Sequence, residues 1–446
     1  MVPRILAFGQ LRYVHVARWK HFGLSFVGEL VSVDQTLMNT PQDTDRTAPT
    51  ERLMSVDVLR GFDMFWILGA DSLVHALNRM SQTAPTRFLA TQLEHAEWEG
   101  FHFYDLIFPL FVFLVGVSIV FSLRRLLEHG GRAAALRRVF RRSALLFLIA
   151  LIYSGGFSHS WPDIRLMGVL NRIALCYFFG GLIFCFVSVR AMIALASGLL
   201  LAYWALLAWV PFPDVRPMPG GEQVITKEAG FTNVAQLNFA STRMLRGSSV
   251  QGVNLTNYLD QKYLPGRKYD GTYDPEGLLS TIPAVVTCLL GIFAGLLLKN
   301  AALSAERKVI CLLAIGSASV VLGFVWGLEF PVIKKIWSSS YVLVAGGFSF
   351  ILLGIFYWVV DVRQYRKWCQ PFVWIGMNSI TVYLANNFTG GFVTRLAPRL
   401  AGGDVESFFD QHIAHGAGSL ALSITGLLLA IWFVHFLYRR KIFLRL

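Results

Sequence analysis

The chain has 446 residues, 55% of them hydrophobic and 15% charged, and a mean hydropathy of +0.53, too high for a water-soluble protein of this length. A formal net charge of +13 would suit a polyanion-binding protein, but the Lys and Arg residues cluster in short stretches between long apolar runs, as in the cytoplasmic loops of membrane proteins. Composition therefore argues against nucleic acid as a partner and points to an all-α membrane protein, a polytopic helical bundle in a lipid bilayer.

Residues 1–50 are expected to be a flexible tail, because the first 37 lack an apolar signal core with a cleavage site and the polar stretch from Met38 would suit an N-terminus, making 1–37 an over-extended reading frame. Residues 51–446 are expected to form the transmembrane domain. Apolar runs of spanning length predict helices at 56–77, 106–123, 143–157, 167–189, 191–211, 278–298, 308–327, 341–361, 371–388 and 418–437, about ten in all.

Lys/Arg bias orients them. The link at 124–142 holds Arg124, Arg125, Arg132, Arg137, Arg138, Arg141 and Arg142, which predicts a cytoplasmic position for it, for the links near Lys299 and Arg363, and for both termini. The opposite short links then lie outside and are poorer in positive charge, with Arg165 in one and the Lys334/Lys335 pair in another. Residues 212–277, too long for a plain connector, are expected to be an extracytoplasmic cap.

The stretch "QLEHAEWEGFHFYDLIFPLFVFLVG", 92–116, sets His95, Glu97, Glu99, His102 and Asp105 directly before an apolar run. Ionisable groups at the membrane are costly, so such crowding points to function. His95 brings an imidazole, the group suited to general acid/base work; the plain alternative is a loop histidine bonded to a backbone carbonyl. Asp71, near the outer end of the first helix, is brought by the topology toward His95, and Asp105 is placed to cap the second helix.

In "GVLNRIALCYF", Asn171 and Arg172 enter an apolar helix; Arg172 needs an acceptor, with Asp105 and Asp71 as candidates. "YDPEGLLSTIP" puts Asp274 and Glu276 at a helix start, where capping is the plain account. "IWSSSYV" and "PFVWIGMNSITVYLANNF" supply Trp337, Ser339, Tyr341, Asn378, Ser379 and Asn386, either interhelical glue or cavity-lining groups. Cys176, Cys185, Cys288, Cys311 and Cys369 show no metal-ligand or redox spacing, and there is no GxGxxG after a strand, P-loop, HExxH or GxSxG.

"RLMSVDVLRGFDM", "HAEWEGFHFYDLIFPLFVFLVGVSI", "GVLNRIALCYF", "YDPEGLLSTIPAVVTCLLGIFAG", "IWSSSYV", "GMNSITVYL" and "YRRKIF" occur in an order that resembles the membrane domain of the heparan-alpha-glucosaminide N-acetyltransferase family, from about Arg52 to the C-terminus. The resemblance implies a bacterial inner-membrane enzyme that moves acetyl from cytoplasmic acetyl-CoA, with no metal, to the amine of a glucosamine unit outside. It carries the family's active histidine onto His95 and its arginine onto Arg172, and places Asp71 where the family has an asparagine. On this reading His95 and Asp71 are catalytic. Asp105, Asn171, Arg172, Glu276 and Asn378 bind the acceptor, and Trp337, Ser339, Tyr341 and Arg124 bind the acetyl-CoA. The match lacks the large luminal domain of the animal enzyme, so a free or short amino sugar is the expected acceptor; a homodimer is compatible with the sequence.

Two mechanisms follow from the resemblance, His95 as general base in a direct transfer or an acetyl-histidine intermediate. From another class, an amino-sugar permease could use the same buried Asp and Arg residues as a substrate path. A third alternative is acyl transfer to a different acceptor, such as a glycan or lipid headgroup.

Overall fold

Backbone polar groups in lipid must bond within their own segment, so apolar runs of spanning length fold as helices. The computed structural model describes residues 53–156, 160, 163–214, 244–402 and 404–444. The predicted tail 1–50 and residues 215–243 of the predicted cap lie outside the described residues.

In chain order the elements are α1 (Met54–Phe65), a π-helical turn (Trp66–Ala70), α2 (Asp71–Met80), α3 (Ala84–Gln92), α4 (Phe103–Tyr153), α5 (Val169–Phe186) and α6 (Val189–Trp209). A short antiparallel pair, β1 (Phe212–Pro213) and β2 (Met244–Leu245), is followed by α7 (Leu255–Tyr263), α8 (Thr281–Lys299) and α9 (Ala305–Gly327). Then come α10 (Ser339–Phe356), extended by a π-helical stretch to Val362, α11 (Gln370–Met377), α12 (Ser379–Phe388), a π turn (Phe392–Leu396), α13 (Ala397–Ala401), α14 (Val405–His412) and α15 (Ala417–Arg439).

The fold is the expected all-α membrane bundle. Among the described residues, however, seven helices are long and apolar enough to cross a bilayer, and the count of ten is not reached on that measure. The second and third predicted spans run together as the 51-residue α4, with non-helical Gly131 (φ 72°, ψ 177°) inside it. The first is interrupted by the π turn at Trp66–Ala70, where Gly69 has φ 107°, and the ninth by Asn378 between α11 and α12.

α8 and α4 form the centre, with 83% and 72% of their apolar windows buried, whereas α6 and α9 have 28% each and form the rim. Close contact at the centre depends on glycine. A Cβ on Gly116 of α4 would stand 2.0 Å from the Cys288 carbonyl oxygen of α8, and one on Gly291 of α8 would stand 1.9 Å from the Phe113 carbonyl oxygen of α4. α1 and α11 make the same reciprocal approach through Gly61 and Gly376.

At one end of the bundle, Tyr203, Leu207, Phe212, Leu255, Phe330, Ile333 and Ile336 form a second apolar core beneath α7. The Tyr203 hydroxyl donates to the Ile336 carbonyl (2.5 Å) and lies 3.1 Å from Thr256 Oγ1, tying α6, α7 and the 328–338 loop together. That loop is also stitched to the 95–102 loop, by a bridge between Glu99 and Ile333 and by the Gly100 N–H donating to the Val332 carbonyl (2.9 Å).

Candidate active site

The second stitch decides the chemistry, because it carries Lys334 across 239 positions of sequence to His95. The starting point is Asp105, in the first turn of α4 with its side chain wholly buried. Its Oδ2 accepts the backbone N–H of His102 (3.0 Å) and of Ala96 (3.1 Å), so one carboxylate caps the helix and fastens the loop before it. Its Oδ1 lies 2.9 Å from His95 Nδ1 and 3.4 Å from Lys334 Nζ. An ionised carboxylate only accepts, which assigns the proton to Nδ1 and leaves the Nε2 lone pair available. The His95 side chain is 52% exposed and faces a cavity; the Tyr104 ring packs 4.8 Å from it.

That cavity, about 340 Å³, is lined at the His95 end by Lys334, Lys335, Arg165, Glu276 and Tyr269. Arg165 grips Asp274 with two hydrogen bonds of 2.7 Å and Glu276 with one of 2.6 Å, and lies over the Tyr269 ring; Lys335 pairs with Asp270 at 2.9 Å. Burial raises the carboxyl pKa of Glu276 against the opposing pull of Arg172 and Arg165, and burial lowers that of Lys334 against the pull of Asp105.

A second cavity, about 240 Å³, adjoins the first. It is lined by Arg60, Ser118, Ser122, Arg142, Tyr177, Asn378 and Leu444, and it shares Phe111, Leu170, Ile173, Ser379 and Ile380 with its neighbour. The lane follows helical periodicity: Tyr104, Ile107, Phe111, Val115, Ser118 and Ser122 are a single stripe along α4, spaced three or four apart. At about 1.5 Å per residue, the stripe is roughly 27 Å long, close to the roughly 30 Å of a bilayer core. The Tyr177 hydroxyl and Asn378 Oδ1, on the wall of the second cavity, have no hydrogen-bond partner among the described residues.

Residues 52–216 match the sequence model of the heparan-alpha-glucosaminide N-acetyltransferase catalytic domain. The chain is 30% identical over 333 residues to the Mus musculus heparan-alpha-glucosaminide N-acetyltransferase, covering 66% of this chain and 49% of that protein. It is likewise 30% identical over 331 residues to the Homo sapiens protein, covering 66% and 48%. Over these stretches the chain is similar to the heparan-alpha-glucosaminide N-acetyltransferase family. It spans about half the length of the curated relatives it matches.

The sequence-predicted site residues divide. His95 and Glu276 line the first cavity, Asn378 lines the second, and Asp105 sits directly behind His95. Asp71 is half-buried just past the π turn, close enough for its charge to act on Tyr104. Arg172 is wholly buried and lines neither cavity. Its acceptors are Ser280 Oγ (2.5 Å) and the Gly277 carbonyl (3.3 Å), not Asp105 or Asp71, and its guanidinium lies 4.9 Å over Trp337. Asn171, 1% exposed, lies beside the shared wall without a side-chain partner.

Trp337, Ser339 and Tyr341 are packing and bonding groups away from both cavities. They donate to Thr287 Oγ1, the Leu200 carbonyl and the Asp105 carbonyl respectively, and Trp337 takes φ 53°. Arg124 pairs with Glu128 at 2.9 Å, outside both cavities. Lys334 was missed as a site residue, as were Arg60 and Arg142 of the second cavity. Lys334, Lys335 and Arg165 did carry a signal: each is a positive charge in a short link that the Lys/Arg bias places outside, and all three line the first cavity.

Proposed function

We propose that the chain is a membrane-embedded N-acetyltransferase in which acetyl-CoA enters from the cytoplasmic side and donates acetyl, near His95, to the amine of glucosamine or a short glucosamine-containing sugar on the opposite side. Relatives named as N-acetyltransferases support the reaction type. The observation that carries the reading is the pair of stacked cavities with a shared wall, His95 at one end and Arg60 and Arg142 at the other.

The chemistry of acetyl-CoA suits this lane. Guanidiniums match phosphate oxygens in charge and fork geometry, so Arg60 and Arg142 would receive the diphosphate end. The shared wall of Phe111, Leu170, Ile173 and Ile380 is apolar and fits a narrow pantetheine arm. Glu276 and Tyr269, at the other end, offer a carboxylate for an ammonium and a ring for a sugar face.

The acceptor amine, ammonium at neutral pH, loses one proton to solvent before it can attack. His95 Nε2 removes a second as the nitrogen adds to the thioester carbonyl, and Asp105 holds the resulting imidazolium. The same proton passes to the departing thiolate, so amide and free thiol are the products.

Purified protein in detergent, given acetyl-CoA and glucosamine, should release free CoA thiol and form N-acetylglucosamine, and His95→Ala should abolish both while still binding acetyl-CoA. The reading fails if proteoliposomes move labelled sugar unmodified without any acyl donor. Retained turnover in His95→Ala would remove the histidine from the mechanism. A burst of thiol release without acceptor would replace direct transfer with an acetyl-histidine route.

A further inference from the structure

Deprotonation by His95 leaves one charge of the transfer unattended, the negative charge that grows on the carbonyl oxygen when the amine adds to the thioester. In a water-poor cavity that charge needs a fixed donor. Three cations line the His95 cavity. Arg165 is tied to Asp274 and Glu276 by bonds of 2.6 to 2.7 Å, and Lys335 to Asp270 at 2.9 Å. Lys334 has a looser carboxylate contact, 3.4 Å to Asp105 Oδ1, while its Nζ stands 2.9 Å from His95 Nδ1 and 3.3 Å from Nε2.

The ammonium of Lys334 reaches both ring nitrogens of His95, Nδ1 more closely than Nε2, and shares Asp105 Oδ1 with the ring. An ammonium has three N–H donors, and one contact to Asp105 leaves others for the cavity. Other donors are worse placed. Arg172 is buried against the Trp337 ring and lines neither cavity, and Asn378 Nδ2 donates to the Trp374 carbonyl from the wall of the second cavity.

We infer that Lys334 is a catalytic residue of the transfer, its ammonium donating a hydrogen bond to the oxyanion of the tetrahedral intermediate. The inference rests on the acyl-transfer reading of the same cavity. As the amine nitrogen bonds to the carbonyl carbon, the C=O π pair moves onto oxygen and is held by Lys334 Nζ–H, and His95 Nε2 takes the proton from nitrogen. When the pair returns, the C–S bond breaks and the thiolate receives that proton from His95. Lys334 keeps its own protons throughout.

The test compares Lys334→Met, Lys334→Arg and Lys334→Ala in detergent-purified protein, with thermal melting and acetyl-CoA binding measured in parallel. Loss of one oxyanion donor lowers kcat by about 10²- to 10³-fold, so Lys334→Met should fall in that range with the KM for acetyl-CoA within about threefold of wild type. Lys334→Arg, which keeps a cationic donor, should recover at least about tenfold of that loss, and ethylammonium should restore part of kcat to Lys334→Ala with saturable dependence.

If Lys334→Met turns over like wild type while His95→Ala is dead, the inference falls and the acyl-transfer reading stands. If both variants turn over, the inference and the general-base role of His95 fall together; if wild-type protein forms no N-acetyl product, the acyl-transfer reading falls. Loss of activity that neither arginine nor ethylammonium restores, in protein that melts normally and binds acetyl-CoA, would also overturn the donor role. Should Lys334→Met fail to fold, Lys334→Ala with ethylammonium decides alone.

Discussion

Asp105→Asn is the sharpest probe of the site. The carboxylate takes three hydrogen bonds, from His95 Nδ1–H at 2.9 Å and from the N–H groups of Ala96 and His102 at 3.1 and 3.0 Å. An amide is nearly isosteric, and its oxygen can keep the two backbone bonds on the Oδ2 side. Its NH₂ then faces His95 and donates to Nδ1, which moves the ring proton to Nε2 and removes the base from the cavity. The imidazolium of the transition state also loses its counter-charge. With charge centres about 4 Å apart and an effective dielectric of about 20, that attraction is about 4 kcal/mol, or roughly 10³ in kcat. Steady-state thiol release with saturating acetyl-CoA and amine gives kcat, and melting in the same detergent reports on the fold. A folded Asp105→Asn protein with kcat within tenfold of wild type would refute the dyad.

Other variants test separate parts of the account. Arg142→Gln should raise the KM for acetyl-CoA by about tenfold, the loss of one charged hydrogen bond, with kcat little changed, and acetyl-pantetheine, which lacks the phosphates, should show no difference; equal effects on both donors would refute a phosphate role. Gly61→Ala pushes a methyl to 1.8 Å from the Phe372 carbonyl oxygen, so α1 and α11 must part; a loss of about 1–3 kcal/mol should appear as a lower melting temperature, and an unchanged one would deny the close approach.

Burial pushes the carboxyl pKa of Asp260, on α7 outside the spanning helices, up to about 7. A carboxyl raised in the fold binds more protons folded than unfolded between about pH 4 and 7, so its contribution to stability is fully present at lower pH and is lost as pH rises through that window. Asp260→Asn, which keeps an oxygen for the Leu278 N–H (2.8 Å), should flatten the melting temperature between pH 4 and 7. A wild-type profile that is already flat would contradict this.

The sequence by itself determined the class of fold and the placing of Asp105 as the cap of a helix. Apolar runs of spanning length have one good solution in lipid, and "HAEWEG" before a capping Asp105 is a local pattern whose meaning needs no distant partner: ten residues separate His95 from Asp105, and the helix start joins them. Asp57 and Arg60, three residues apart on α1, pair at 3.2 Å, a contact that helical spacing alone brings together. Trp337, Ser339 and Tyr341 read equally well as glue or as lining, because a polar side chain on an apolar helix carries no mark of which neighbour it faces.

Tertiary structure alone decided that Arg172 answers to Ser280 and Gly277, that Arg60 and Arg142 share a cavity, and that Lys334 reaches His95 from 239 positions away. Those pairings depend on how far backbones can approach, set by reciprocal glycines at Gly61/Gly376 and Gly116/Gly291 and by a loop bridge at Glu99 and Ile333. Periodicity tells which face of a helix is apolar; only packing tells what stands opposite that face, and a cavity is a property of the space between helices rather than of any one of them.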